Sequence, residues 1–158
     1  ARRDFVFAEH RERALRGAAA RLADVGGLLH PDQRVEIMFD LVLRAPLVAI
    51  SHRERAFLAA AIHHRYTKAQ PRQTDAYLRL LDEEHQNAAA ALGAALRLGA
   101  DLSGRSEALL SAFELSAVDG KLLLRVKKKA AHLFTETAQR RLDYAAAALG
   151  LVSETKIT

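Results

Sequence analysis

The sequence predicts a mainly α-helical fold with one small β-hairpin near the C-terminal end. Two observations carry this. Apolar residues recur at i, i+3, i+4 and i+7 through successive segments built largely from Ala and Leu, both strong helix formers. One stretch alone changes period: Phe113, Leu115 and Ala117 alternate with Glu114 and Ser116, Asp119-Gly120 follows, and Leu122, Leu124 and Val126 alternate again. Asp-Gly between two alternating runs is a strong hairpin signal, because both turn positions need positive φ.

The 158 residues predict one domain, 1–158, able to bury ~70% of its unfolded surface. Half the residues are hydrophobic and Trp is absent, so an Ala/Leu core is expected. Absence of Cys excludes disulfides, thiolate chemistry and Cys-ligated zinc, and fits a reducing, cytoplasmic compartment. No apolar run approaches the ~20 residues of a membrane span, and Ala1-Arg2-Arg3-Asp4 leads into no signal core. The net charge of +5 fits a polyanionic partner and ordinary solubility charge equally well. No initiator Met precedes Ala1, and we expect the chain to be cut from something longer.

In chain order, Phe5, Val6 and Phe7 form an apolar patch expected to dock on the core. Leu15, Ala18, Ala19 and Leu22 mark the first helix, Arg11–Ala23. Gly26 and Gly27 turn the chain, by access to positive φ, and leave Asp24 near a helix end facing whatever packs across it. The second helix is expected to start at Pro31-Asp32, to bury Val35, Met38, Phe39, Val42 and Leu43, and to stop before Pro46. Leu47 to Ile50 reads as a buried connector. Ser51-His52-Arg53-Glu54 is a capping box opening a third helix, with Phe57, Ala60, Ala61 and His64 on one face. A polar loop, Thr67 to Gln73, precedes a short helix, Asp75–Leu81, with Tyr77, Leu80 and Leu81 inward. Asp82 caps a long helix whose stripe of Ala88, Ala91, Leu92, Ala95, Leu96 and Gly99 predicts the central, most buried element. After the hairpin (about 112–126), a closing helix spans about 130–149 and ends at Gly150, and Leu151 to Thr158 can add a strand through Ile157.

No motif for nucleophilic catalysis is present: there is no Gly-x-Ser-x-Gly, P-loop or Gly-x-Gly-x-x-Gly. Tyr66 and Tyr77 are too few aromatics for a nucleic-acid surface. Asp24-Val-Gly-Gly has the form of a phosphate-gripping Asp-x-Gly-Gly turn, yet that turn follows a strand and here a helix precedes it. Arg34, Arg53, His63, Arg65, Lys68 and Arg72 gather on the second and third helices and the loop after them. They offer phosphate a set of guanidinium forks and point charges; a solvated Arg-rich surface is the competing reading. His63 and His64, adjacent on a helix, point ~100° apart and do not easily share one ion, so His64 is expected to be a hydrogen-bonded core residue.

The order of these pieces resembles the C-terminal helical domain of the exopolyphosphatase / guanosine pentaphosphate phosphohydrolase family. Leu22–Asp32, Ile50–Tyr66, Ala95–Gly104 and the Phe113–Val126 hairpin with its closing helix carry the resemblance. It implies an HD-like multi-helix domain that has lost its metal site. Asp24 matches the Asp of the His-Asp pair, Ala23 replaces the His, and Asp101 stands where the distal Asp belongs. The resemblance also implies N-terminal actin-like phosphatase domains that hold Mg²⁺ and the catalytic carboxylate, a homodimer, and a basic path for inorganic polyphosphate.

We therefore expect no catalytic residue, cofactor or metal ligand in this chain itself. Its expected roles are binding the polyanion and supporting dimerisation, with no membrane or nucleic-acid partner. The alternative is a stand-alone HD-type metal phosphohydrolase acting on nucleotides, with His10, Asp24 and Asp101 as ligands.

Overall fold

The computed structural model describes residues 7–71, 76–104 and 106–158. Helix α1 (Glu9–Val25) runs into a 3₁₀ turn (Gly26–Leu28), followed by α2 (Arg34–Arg44) and α3 (His52–Tyr66). A 3₁₀ segment (Ala76–Leu80) leads to α4 (Glu83–Ser103), the short α5 (Glu107–Leu110) and strands β1 (Phe113–Val118) and β2 (Lys121–Val126). A further 3₁₀ segment (Lys128–Leu133), α6 (Glu136–Ala148) and β3 (Val152–Ile157) complete the chain, which is mainly helical as its periodicity predicts. Two compact units result, Ala1–Gly93 and Ala94–Thr158, and α4 contributes its first half to one and its second half to the other.

In the first unit α3 is the most buried helix, a place expected for α4. Every residue from Ala56 to Ile62 is buried, because this run presents only small or apolar atoms on all sides. Its start is fixed as predicted: Ser51 Oγ accepts from Glu54 N at 3.2 Å, and Glu54 Oε2 accepts from Ser51 N at 2.7 Å. Arg11 Nε donates to Glu54 Oε1 at 2.7 Å, so an α1 guanidinium neutralises a carboxylate only 7% exposed. On α4 the buried hydrophobic residues are Ala89, Ala90, Ala91, Ala94, Leu98 and Leu102, which share only Ala91 with the predicted stripe. Residues 88–91 are all Ala, so composition cannot phase that helix. Space can: a Cβ on Gly93 would lie 2.5 Å from Ala61 O and 2.8 Å from Arg65 N. Backbone therefore meets backbone where α4 crosses α3.

Other expectations shift locally. Helix α2 buries Met38, Phe39, Val42 and Leu43 but starts at Arg34, three residues late. The His30 carbonyl accepts from Gln33 N (3.1 Å) and Arg34 N (3.0 Å), which closes Pro31–Gln33 into a turn. The connector after α2 is not buried; Val48 is 89% exposed. It is held instead by Arg55, whose guanidinium donates to the carbonyls of Leu43 (3.3 Å), Ala45 and Leu47 (3.2 Å). Arg11 Nη2 reaches Ala49 O at 2.9 Å. Phe7 docks edge-on to Phe57 and His85, at centroid distances of 5.2 and 4.9 Å; Phe5 and Val6 lie outside the described residues. Of the predicted inward set before α4, Leu81 is buried whereas Tyr77 and Leu80 are exposed. Asp82 caps α4 as expected, accepting from His85 N at 3.0 Å.

The second unit is built on the hairpin. β1 pairs antiparallel with β2 from Phe113↔Val126 to Val118↔Lys121, and Asp119 (φ 49°) and Gly120 (φ 74°) make the turn. The C-terminal strand expected through Ile157 forms: β3 runs parallel to β2, giving the order β1-β2-β3. Leu122, Leu124 and Val126 pack with Leu98, Leu102, Leu142, Ala145 and Ala146 into one core. Leu115 is 39% exposed, because β1 is an edge strand. The closing helix is shorter than expected. Thr135 Oγ1 accepts from Ala138 N at 3.3 Å and starts α6 afresh after the 3₁₀ segment. At its other end Gly150 (φ 63°) sits in a Schellman motif, with Gly150 N to Ala147 O at 2.9 Å and Leu151 N to Ala146 O at 2.9 Å. Among the described residues no helix is long and apolar enough to cross a membrane.

Three substitutions test this fold. Gly93→Ala should cost about 1–3 kcal/mol in chemical denaturation, because the methyl meets backbone that cannot yield. Gly17→Ala should instead gain ~0.5–1 kcal/mol, its Cβ meeting only the flexible Arg21 guanidinium at 3.7 Å. The Arg11 hydrogen bond holds the Glu54 carboxyl at about 2, below its ordinary 4.5. Its contribution is therefore full above pH 4.5 and lost as pH falls through about 2. Glu54→Gln should lower stability by ~1–3 kcal/mol at pH 7. Denaturation midpoints of variant and parent should converge across that acid window.

Candidate functional site

Tyr66, the last residue of α3, ties together three segments of the first unit. Its hydroxyl donates to Ala23 O at 2.5 Å, across 43 residues. Its ring lies under two guanidinium groups, with Arg34 Cζ 5.5 Å and Arg65 Cζ 5.3 Å from the centroid. Gly26 passes so close that a Cβ there would lie 2.7 Å from Met38 Cγ and 2.8 Å from Tyr66 Cζ. This glycine serves by its missing side chain rather than by positive φ, since its φ is −68°. The expected reason for Asp24-Val-Gly-Gly is thereby corrected: the turn is 3₁₀, and Asp24 is exposed.

The basic residues separate into distinct roles. Arg34 is the first residue of α2 and half-buried, and no carboxylate among the described residues pairs with it. A cation there opposes the positive end of the helix dipole, where an anion is favoured. Arg65 is 8% exposed and lies against Tyr66 from within the fold. His63 Nε2 donates to Ala69 O at 3.0 Å, and Thr67 Oγ1 accepts from Ala69 N at 3.1 Å. These bonds fold the loop carrying the exposed Lys68 back onto the end of α3. Burial holds the His63 imidazole below its ordinary value, so it is neutral at pH 7 and anchors the loop without adding charge.

Arg53 stands apart, twelve residues before Arg65 and so roughly 18 Å away along the helix. It lies near Asp82, whose carboxyl is held below its usual range mainly by the backbone and ring N–H groups of His85, with Arg53 adding a smaller attraction. Arg72 lies outside the described residues. Thus Arg34, His63, Arg65 and Lys68 share one end of α3, and Arg53 belongs to the other.

His64 is buried as expected but is not fully hydrogen-bonded: its Nδ1 has no partner among the described residues. Burial, with a smaller effect from His63, pushes its imidazole down to about 4.

The family model for the C-terminal part of exopolyphosphatase matches residues 5–154. The chain belongs to the exopolyphosphatase C-terminal family. A comparison with curated proteins finds no match. Within this exopolyphosphatase domain the described residues show no grouping of metal ligands. The Ala23 side chain is a buried methyl, Asp24 and His10 point to solvent, and Asp101 pairs with Arg141 Nε at 3.0 Å in the second unit. Among the described residues no three His, Asp or Glu side chains are grouped as an ion requires. Sequence reasoning missed Tyr66 as a structural partner of the arginines. The available signal was its position beside Arg65 at the close of a buried helix.

The depressed His64 imidazole has a measurable consequence. The folded state keeps it neutral, so its contribution is intact above pH 6.5 and lost as pH falls to about 4. His64→Leu should leave stability at pH 7 nearly unchanged and make the protein less acid-sensitive between pH 6.5 and 4. Urea midpoints across that range provide the check.

Proposed function

We propose that this chain is the polyanion-gripping C-terminal part of an enzyme that removes terminal phosphate from inorganic polyphosphate, or phosphate from guanosine pentaphosphate. The observation that carries the reading is the half-buried Arg34 guanidinium, held on an aromatic ring, without a carboxylate partner among the described residues. Salt-bridging arginines are spoken for. This one is positioned and uncompensated, as a phosphate ligand must be. Lys68 adds a point charge on the loop that His63 anchors. Arg65 supports Tyr66 from inside, and Arg53 would meet a chain only further along its path.

In this reading bond-breaking belongs to N-terminal actin-like domains of the parent enzyme, which hold Mg²⁺ and the catalytic carboxylate. The parent works in the cytoplasm as a homodimer that this part helps to form. Asp24 is the remnant of a lost metal-binding His-Asp pair.

The purified chain should bind polyphosphate, release no phosphate from it, and sediment as a dimer. Affinity should fall steeply between about 50 and 200 mM salt, as counterion release requires. Arg34→Gln should weaken binding and reduce the salt slope by about one. Salt-independent binding, or phosphate release by the chain alone, would overturn the proposal.

A further inference from the structure

We infer that Tyr66 is a positioning residue for anion recognition: its ring is the platform that fixes the Arg34 guanidinium for phosphate. The inference deepens the polyanion reading and rests on it. A surface arginine ordinarily loses several rotatable bonds on ordering its fork around a phosphate, and that entropy opposes binding. Arg34 is held already. Its Cζ stands 5.5 Å from the Tyr66 centroid, an arrangement in which the ring face attracts the cation and leaves guanidinium N–H groups for oxyanion acceptors.

The platform is itself fixed from three sides. The hydroxyl is anchored on Ala23 O at 2.5 Å, Arg65 lies against the ring with its Cζ at 5.3 Å, and Gly26 closes over it with no side chain to displace it. Gly26 and Tyr66 are thus matched. A larger residue at 26 would push the ring, and with it Arg34, out of place. The charge pattern fits the same role. A cation at the start of α2 gains nothing from the helix dipole, and among the described residues it gains no ion pair. A bound phosphate would supply the missing negative charge.

The experiment uses the whole chain and polyphosphate of defined length, with affinity read by calorimetry and folding by thermal melting. Arg34→Lys keeps the charge and loses the planar fork, and its partly exposed site lets the variant fold. We expect it to weaken binding roughly 3- to 10-fold, close to Arg34→Gln. Tyr66→Phe keeps the ring and should bind within about twofold of the parent, even if its melting temperature falls. Tyr66→Leu should weaken binding as Arg34→Gln does, and the double variant should add little to either, because both remove one unit. In the NMR spectrum the Arg34 side-chain N–H resonance should carry a ring-current shift that persists in Tyr66→Phe and vanishes in Tyr66→Leu.

A merely structural Tyr66 would lower the melting temperature without changing affinity, and the effects of Arg34 and Tyr66 would add. That result, or full affinity in Arg34→Lys, would overturn the inference while leaving the polyanion reading standing. Failure of the parent chain to bind polyphosphate at low salt would overturn both.

Discussion

Burial of α3 on every side is the constraint from which the first unit follows. A helix without a solvent face still has polar side chains at its ends, and each must be satisfied inside the protein. At the start Glu54 is answered by Ser51 and by Arg11. The next residue, Arg55, directs its donors to the preceding connector. At the far end Arg65 and Tyr66 lean on each other, and His63 holds the next loop. His64 keeps an orphan ring nitrogen instead, and remains neutral as the cost of staying inside. The crossing at Gly93 shows how tight this enclosure is: α4 approaches until backbone touches backbone.

The same constraint explains why the basic residues do not act as one patch. A buried helix can show charge only at its two ends, so Arg53 and Arg65 are held apart by the hydrophobic length between them. The cations that share the later end also differ in kind. One is buried against an aromatic ring, one is half-buried against the same ring, and one is exposed on an anchored loop. Counting positive charges along the sequence merges these states. Their chemistry depends on the separation.

The parts of the fold set by local rules were legible in the sequence: the capping box at Ser51, the Asp119-Gly120 turn, the stop before Pro46 and the Gly150 terminus. Elements that depend on partners distant in sequence were harder. Alanine-only runs carry no phase, so the buried side of α4 was misread until α3 was placed against it. Gly26 looked like a residue chosen for its backbone angle, because a sequence cannot display the Tyr66 ring that occupies the missing side chain's space. The second start at Thr135 was overlooked for a similar reason, since the apolar residues on either side continue at helical spacing. The candidate site divides along the same line. Arg34 and Lys68 were visible as residue types, whereas the aromatic support beneath Arg34 came only from bringing residues 34 and 66 together.

The connector between α2 and α3 takes its path from two arginines outside it. Ala49 is held in the left-handed region at φ 59°, and Val48 faces solvent, with no packing of its own to justify either. What fixes the backbone is a guanidinium on the following helix, reaching back to carbonyls at residues 43, 45 and 47, together with Arg11 of α1 on the Ala49 carbonyl. The shape of this loop is therefore stored outside the loop, on both sides of it in the sequence. Transplanting residues 45–50 between two other helices would carry the letters without the bend, unless both arginines travelled with them.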